Sequence, residues 1–200
     1  EQINESKGNA MAVQGDVRKL DDMKDMRNKV RDEHGGTDVL INNAGITVDK
    51  KFVNMTREDW DRVMDVNLNG MYNATKAFFN DISVSTNGRL INISSVVGRR
   101  GNYGQANYAT TKSGMFGFTR TLALELAASN STANCVTMGF TRTDMLRKVD
   151  EEVQEKIRDR IPLGKFAEVE DVTGIVRFLS SRDSGYMTGQ IIGVDGGLRG

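Results

Sequence analysis

Short apolar runs and longer stretches of helical period take turns along nearly the whole 200-residue chain. The runs predict strands at Ala10 to Val13, Val39 to Asn42, Arg89 to Ser94, Ala133 to Thr137 and Gln190 to Val194. Their cores, "VLI", "LINI" and "IIGV", lack strict polar alternation, which is the mark of parallel strands covered by helices on both faces. Helices should fill the intervals. One is predicted to open at "TREDW", where Thr56 and Asp59 have the spacing of a capping box, and to run past Trp60, Val63, Met64 and Leu68 towards Phe79. Another carries Met115, Phe118, Leu122 and Leu126 at three-to-four spacing, so one side of it is an apolar stripe. Gly114 and Gly117 on the same helix each cost roughly 1 kcal/mol against alanine unless a neighbour benefits from close backbone approach. The pattern predicts an α/β fold with a Rossmann-like, doubly wound parallel sheet, formed as one domain over residues 1–200.

Composition narrows the classes of function. Lysine plus arginine and aspartate plus glutamate both count 27, so no global field draws in nucleic acid, an anionic membrane or an acidic partner. Cys135 is the only cysteine and His34 the only histidine, which excludes an internal disulfide and a Cys/His metal cluster. No stretch approaches the ~20 apolar residues that span a bilayer, and the opening "EQINESKGNA" has no hydrophobic signal core. The expectation is a soluble, cytoplasmic protein with no metal.

Candidate chemistry centres on "NYGQANYATTK", which sets Tyr108 and Lys112 four residues apart and therefore on one helix face. A tyrosine hydroxyl has a reference pKa of about 10, and a cation within ~4–6 Å lowers such a value by ~1–3 units. With Lys112 as stabiliser, Tyr108 could exchange a proton near neutrality. An isolated Tyr-x-x-x-Lys pair is weak evidence, since two polar residues on a surface helix are often so spaced. Company strengthens it. "GRLINISSVVG" ends a predicted strand with Ser94 and Ser95, at the carboxyl edge where open α/β sheets bind ligands. "VLINNAGI" ends another with Asn42, Asn43, Ala44 and Gly45, and "DVNLNG" puts Asn67 in an otherwise apolar helix. Each also has an ordinary explanation as a strand cap, a turn or a satisfied buried amide.

Taken in order, "NNAG", "NLNG", "ISSVVG" and "YATTK" resemble the short-chain dehydrogenase/reductase superfamily over essentially the whole chain. The segments "IPLGKFAEVEDV" and "DSGYMTGQIIGVDGGL" are similar to the 3-oxoacyl-carrier-protein reductases and acetoacetyl-CoA reductases. The resemblance implies an NAD(P)-dependent oxidoreductase of fatty acid biosynthesis, reducing a 3-oxoacyl thioester linked to CoA or to an acyl carrier protein. Tyr108 would protonate the alkoxide, Ser95 would hold its oxygen, Lys112 would bond the nicotinamide ribose and tune the tyrosine, and Asn67 would position a water. The same likeness places Asp16 and Val17 near adenine, Asn43, Ala44 and Gly45 along the cofactor, and Gly139, Thr141 and Thr143 around the carboxamide. NADP(H) follows from the reductases, with NAD(H) left open.

Two departures stand out. The family begins with a strand and a glycine-rich turn that receives the pyrophosphate on backbone N–H groups, and no such segment is present from Glu1 onward. The expectation is that residues before Glu1 supply it, together with two strands that belong in the middle of the sheet. Met138 stands where relatives usually have proline, which should leave that turn looser. A lid is expected over 143–166, where Arg147, Lys148, Arg158 and Arg160, with Arg142 just before them, would meet a phosphopantetheine or an acidic carrier protein, or form a solvated face. Other readings remain open: a dehydrogenase of a small alcohol or sugar, and a non-catalytic scaffold on the same fold. The helix with Gly114 and Gly117, and that of Met71, Ala74, Phe78 and Phe79, predict a homotetramer.

Overall fold

A computed structural model describes residues 8–142, 146 and 150–198. Four parallel strands form one sheet in chain order: β1 (Val39–Asn42), β2 (Arg89–Ser95), β3 (Thr132–Met138) and β4 (Ile191–Val194). Between them lie α1 (Leu20–His34), α2 (Arg57–Met64), α3 (Gly70–Val84), α4 (Val97–Arg100), α5 (Ala106–Ala127), α6 (Glu151–Arg158) and α7 (Val169–Ser180). Four of the five predicted strands are present. The fifth is not: residues 10–13 run as irregular backbone before α1 and belong to none of the four strands of the sheet. A four-residue apolar run makes a strand only where a neighbour accepts its hydrogen bonds.

Strand β2 shows why the sequence lacks polar alternation. Leu90 points towards α3 and α5, into a core with Phe78, Ile82, Ala123, Leu126 and Ala133. Ile91 and Ile93 point to the opposite face, where Leu179 and Ile175 of α7 cover them. Both faces are buried, so apolar residues fall on consecutive positions. The polar residues inside are paired across strands: Asn42 donates to Thr75 Oγ1 at 2.9 Å and to Asn92 Oδ1 at 2.8 Å, and Asn92 donates to Thr119 Oγ1 at 2.9 Å. This ladder fixes α3 and α5 against β1 and β2.

Helix α2 opens as its sequence predicts. Asp59 N donates to Thr56 Oγ1 at 3.1 Å and Thr56 N donates to Asp59 Oδ2 at 2.9 Å, a reciprocal capping box. The helix does not run unbroken to Phe79. A π-helical turn over Asp65–Asn69 separates α2 from α3 and carries Asn67. Wide turns of this kind are frequent at functional sites. No helix among the described residues is long and apolar enough to cross a membrane.

Candidate active site

The carboxyl ends of β1 and β2 and the first two turns of α5 meet at one place. Parallel strands all deliver their carboxyl ends to the same edge, and the crossover helices return from it. Ser94 and Ser95, adjacent in sequence, point in opposite directions. Ser94 is buried and its Oγ donates to Lys112 O at 2.8 Å, clamping α5 to the sheet. Ser95 is half-buried, accepts from Val97 N at 3.2 Å and lies near enough to the Tyr108 phenol to lower its pKa. Only the second serine is free to share a ligand oxygen with the tyrosine.

Lys112 reaches back under the tyrosine. Its Nζ donates to Ile93 O at 2.7 Å and lies 5.6 Å from the centre of the Tyr108 ring. Burial pulls its pKa down to about 8, with Cys135 opposing weakly. The tyrosine departs from the expected behaviour. Its pKa is raised, chiefly by burial and further by Asp49, while the nearby Ser95 pulls it back. The ammonium sits over the ring face, anchored to a backbone carbonyl rather than to the phenol oxygen, so removal from water dominates. Tyr108 therefore holds its proton more firmly than a free tyrosine.

Asn67 is fully buried and its amide is spent on structure. Oδ1 accepts from Ile46 N at 2.8 Å, and Nδ2 donates to Ile46 O at 3.0 Å and to Thr111 Oγ1 at 3.2 Å. It ties the segment after β1 to the residue before Lys112. Gly45 lies in that segment: a Cβ there would meet Asn67 Oδ1 at 3.4 Å and Lys112 Nζ at 3.6 Å. Glycine thus leaves a shelf beside the ammonium, flanked by the exposed Asn43 and Ala44. Lys112 has three N–H donors and spends one on Ile93, so two face this shelf. A flat ligand bearing hydroxyls, such as a nucleoside ribose, fits that donor set.

The remaining predicted residues are spread around this centre. Val17 is pinned to α3 by Asn73 Nδ2, which donates to its carbonyl at 3.0 Å, and it lines a cavity of about 160 Å³ together with Asn43 and Ala44. The Asp16 carboxylate is gripped by Arg18 at 2.6 Å, which holds its pKa at about 2. Gly139 follows β3, donates to Val194 O at 2.9 Å and borders a cavity of about 590 Å³ with Gly193 to Gly197. Thr141 pairs with Ala167 in an isolated bridge. Thr143, Arg147 and Lys148 lie outside the described residues. Met138 keeps the strand register opposite Ser95 and Val194, and its carbonyl accepts from Val96 N at 2.8 Å, so hydrogen bonds hold the turn that proline would preset.

Sequence reasoning passed over three supports. Thr111 receives the Asn67 amide, and Asn107 donates to Val48 O at 3.1 Å and to Asp59 O at 3.2 Å while accepting from Tyr108 N at 2.8 Å. Gly98 packs so closely on α5 that a Cβ would stand 2.7 Å from the Lys112 carbonyl carbon. The glycine in "SVVG" is the only signal that could have pointed to it.

The chain is similar to known proteins along nearly its whole length. A family model described as enoyl-(acyl carrier protein) reductase matches residues 1–199. The chain is 47% identical over 178 residues to a 3-oxoacyl-[acyl-carrier-protein] reductase of Thermotoga maritima, covering 89% of this chain and 72% of that protein. It is 43% identical over 188 residues to an acetoacetyl-CoA reductase of Cupriavidus necator, covering 94% and 76% respectively. With a 3-oxoacyl-[acyl-carrier-protein] reductase of Staphylococcus epidermidis it shares 39% identity over 198 residues, 99% of this chain and 81% of the other.

Proposed function

Since the chain belongs to the short-chain dehydrogenase/reductase family, we propose that it is a nicotinamide-dependent reductase of 3-oxoacyl thioesters, using NADP(H). The observation that carries the reading is a proton-holding Tyr108 set beside Ser95 and a buried lysine. When bound, the nicotinamide cofactor would supply the hydride. Every other task falls to the protein.

In this reading the ketone oxygen sits between Ser95 Oγ and the Tyr108 hydroxyl. Negative charge develops there as the carbonyl carbon is reduced, and both hydroxyls are already aimed at it. Tyr108 then gives its proton to that oxygen. Its raised pKa keeps the proton in place until the oxygen becomes basic enough to take it. Lys112 would hold ribose hydroxyls with its two remaining donors and, as a cation under the ring, ease the charge left on the phenol. Both N–H groups of the Asn67 amide are engaged, so water for proton resupply would be positioned through its remaining oxygen lone pair or the backbone of its π turn.

Asn43, Ala44 and Gly45 would lie along the cofactor, Asp16 and Val17 near adenine, and Gly139, Thr141 and Thr143 near the carboxamide. The thioester specificity rests on the relatives, two named for acyl-carrier-protein substrates and one for acetoacetyl-CoA. A cytoplasmic role in fatty acid synthesis follows from the same likeness.

The test is NADPH oxidation with acetoacetyl-CoA by the full-length protein and its Tyr108→Phe variant. Loss of the donor should lower turnover by about 10²–10⁴-fold, with nucleotide binding and melting temperature nearly unchanged. Near-normal turnover in the variant would remove Tyr108 from the chemistry.

A further inference from the structure

Three arginines border the cluster that holds Tyr108, and none has a carboxylate to meet it among the described residues. Arg100 closes α4, the short helix leaving the Ser95 end of β2. Arg158 closes α6, and Arg160 follows two residues later. One apolar cluster joins the two segments: Val97 from α4 packs with Ile157 and Ile161 from the lid, and with Tyr108 itself. The arginines therefore ride on the frame that positions the proton donor.

Three neighbouring cations are engaged, in contrast to these. Arg142 pairs with Glu168 at 2.8 Å and lies 5.8 Å from the centre of the Phe166 ring. Arg99 donates to Ile191 O at 2.5 Å, and Lys156 takes up Glu152 at 2.6 Å. By contrast, the Nε atoms of Arg100 and Arg158 are buried without a hydrogen-bond partner. Arg100 is pushed below its ordinary pKa by burial first and by the Arg160 cation second, so those two guanidinium groups lie close enough to repel. Unpaired donors and like charges at a partly dry surface are costly until an anion meets them.

On the proposed thioester reading, we infer that Arg100 and Arg160, with Arg158 near them in the chain, form an anion subsite for the phosphate of a phosphopantetheine arm. A phosphate offers several acceptor oxygens to the planar donor forks of arginine, and it suits a site built from guanidinium groups better than a single carboxylate does. The arm carries its thioester at one end and its phosphate at the other. Holding the phosphate at the lid would leave the acyl end to reach Ser95 and Tyr108. Coenzyme A and acyl carrier proteins both present this group.

Three substrates with one reacting group test the inference: acetoacetyl-CoA, the acetoacetyl carrier protein, and the acetoacetyl thioester of N-acetylcysteamine, which has no phosphate. Arg100→Gln and, separately, Arg160→Gln should raise KM for the first two about tenfold, the cost of one charge-assisted hydrogen bond, while kcat stays near wild type. For the N-acetylcysteamine ester, kcat/KM should remain within about twofold of wild type, since it never reached the subsite. A rise for both phosphate-bearing substrates assigns the pantetheine phosphate, and a rise for CoA alone assigns its nucleotide phosphates. Equal losses on all three substrates would overturn the inference, because the arginines would then be supporting Ser95 and Tyr108. No change on any of them would overturn it as well. Arg160 is exposed, so its variant keeps the test valid if the Arg100 variant folds poorly. Should the wild-type enzyme turn over no thioester, including the N-acetylcysteamine ester, the proposed function itself fails, which is a different result.

Discussion

Lys112, to which the proposed function gives a role in the chemistry, is held at the expense of the fold. It is 4% exposed and burial draws its pKa from 10.5 to about 8, a displacement that corresponds to about 3 kcal/mol before its hydrogen bond to Ile93 O is counted. A lysine whose folded pKa lies below its unfolded value carries this cost in full below pH 8. The cost fades as pH rises from 8 towards 10.5, where the folded lysine gives up its proton before the unfolded one does. Lys112→Met should therefore raise the melting temperature at pH 7 and abolish turnover, and its stability advantage should shrink between pH 8 and 10.5. Melting curves across that range decide the matter; a variant less stable than wild type at pH 7 would mean that the bond to Ile93 O outweighs the burial cost. The pairing of Tyr108 with Lys112 was legible from their spacing, because i and i+4 share a helix face whatever surrounds them. The direction of the Tyr108 shift was not, since it depends on how much water the rest of the molecule removes.

Among the elements, those specified by local pattern were legible and those specified by contact were not. Thr56 and Asp59 announce the start of α2 because a capping box needs only residues three apart. The π turn at Asp65–Asn69 is different. Nothing in "DVNLN" forbids an ordinary α-helix, and Asn67 gains its two bonds to Ile46 only once β1 and the chain after it are in place. Residues 10–13 carry the same lesson in reverse, with strand-like composition but irregular backbone outside the four-stranded sheet. The junction of α4 with α5 is set by Gly98, where an added Cβ would stand 2.7 Å from Lys112 C and 2.9 Å from Lys112 O. Both obstacles are backbone, which cannot rotate aside. Gly98→Ala should force the two helices apart, costing roughly 1–3 kcal/mol in a urea melt and lowering kcat by shifting Lys112 relative to Ser95. Wild-type stability together with wild-type kcat would show that the helices separate freely.

At the scale of the whole molecule, the outer faces of α3 and α5 are unfinished as surfaces for water. Tyr72 is 51% exposed and Leu124 81%, and a groove of about 200 Å³ runs between the two helices, lined by Tyr72, Phe79, Phe118 and Leu122 with Lys76 and Glu125 at its margin. Half of the α5 stripe is spent inside the protomer, where Met115 and Leu126 are buried, and the other half, Phe118 and Leu122, remains partly open. A twofold axis beside these helices would let each copy cover the other's groove, because isologous contact brings the same patch from both subunits together. The outer edge of β4 offers a second surface for pairing, and two such surfaces suffice for a tetramer of dihedral symmetry. Gly117 gives a clean probe of this assembly. It is exposed on α5 and a Cβ there meets nothing within 4 Å, so a longer side chain is tolerated by the isolated protomer. Gly117→Glu should leave the protomer folded, by its far-ultraviolet circular dichroism, while placing a charge in the apolar contact and its symmetry copy opposite. Multi-angle light scattering at micromolar concentration should then show a tetramer for the wild-type full-length protein and smaller species for the variant. A monomeric wild type, or a variant that still assembles fully, would mean that these helices face solvent and that the groove has another purpose.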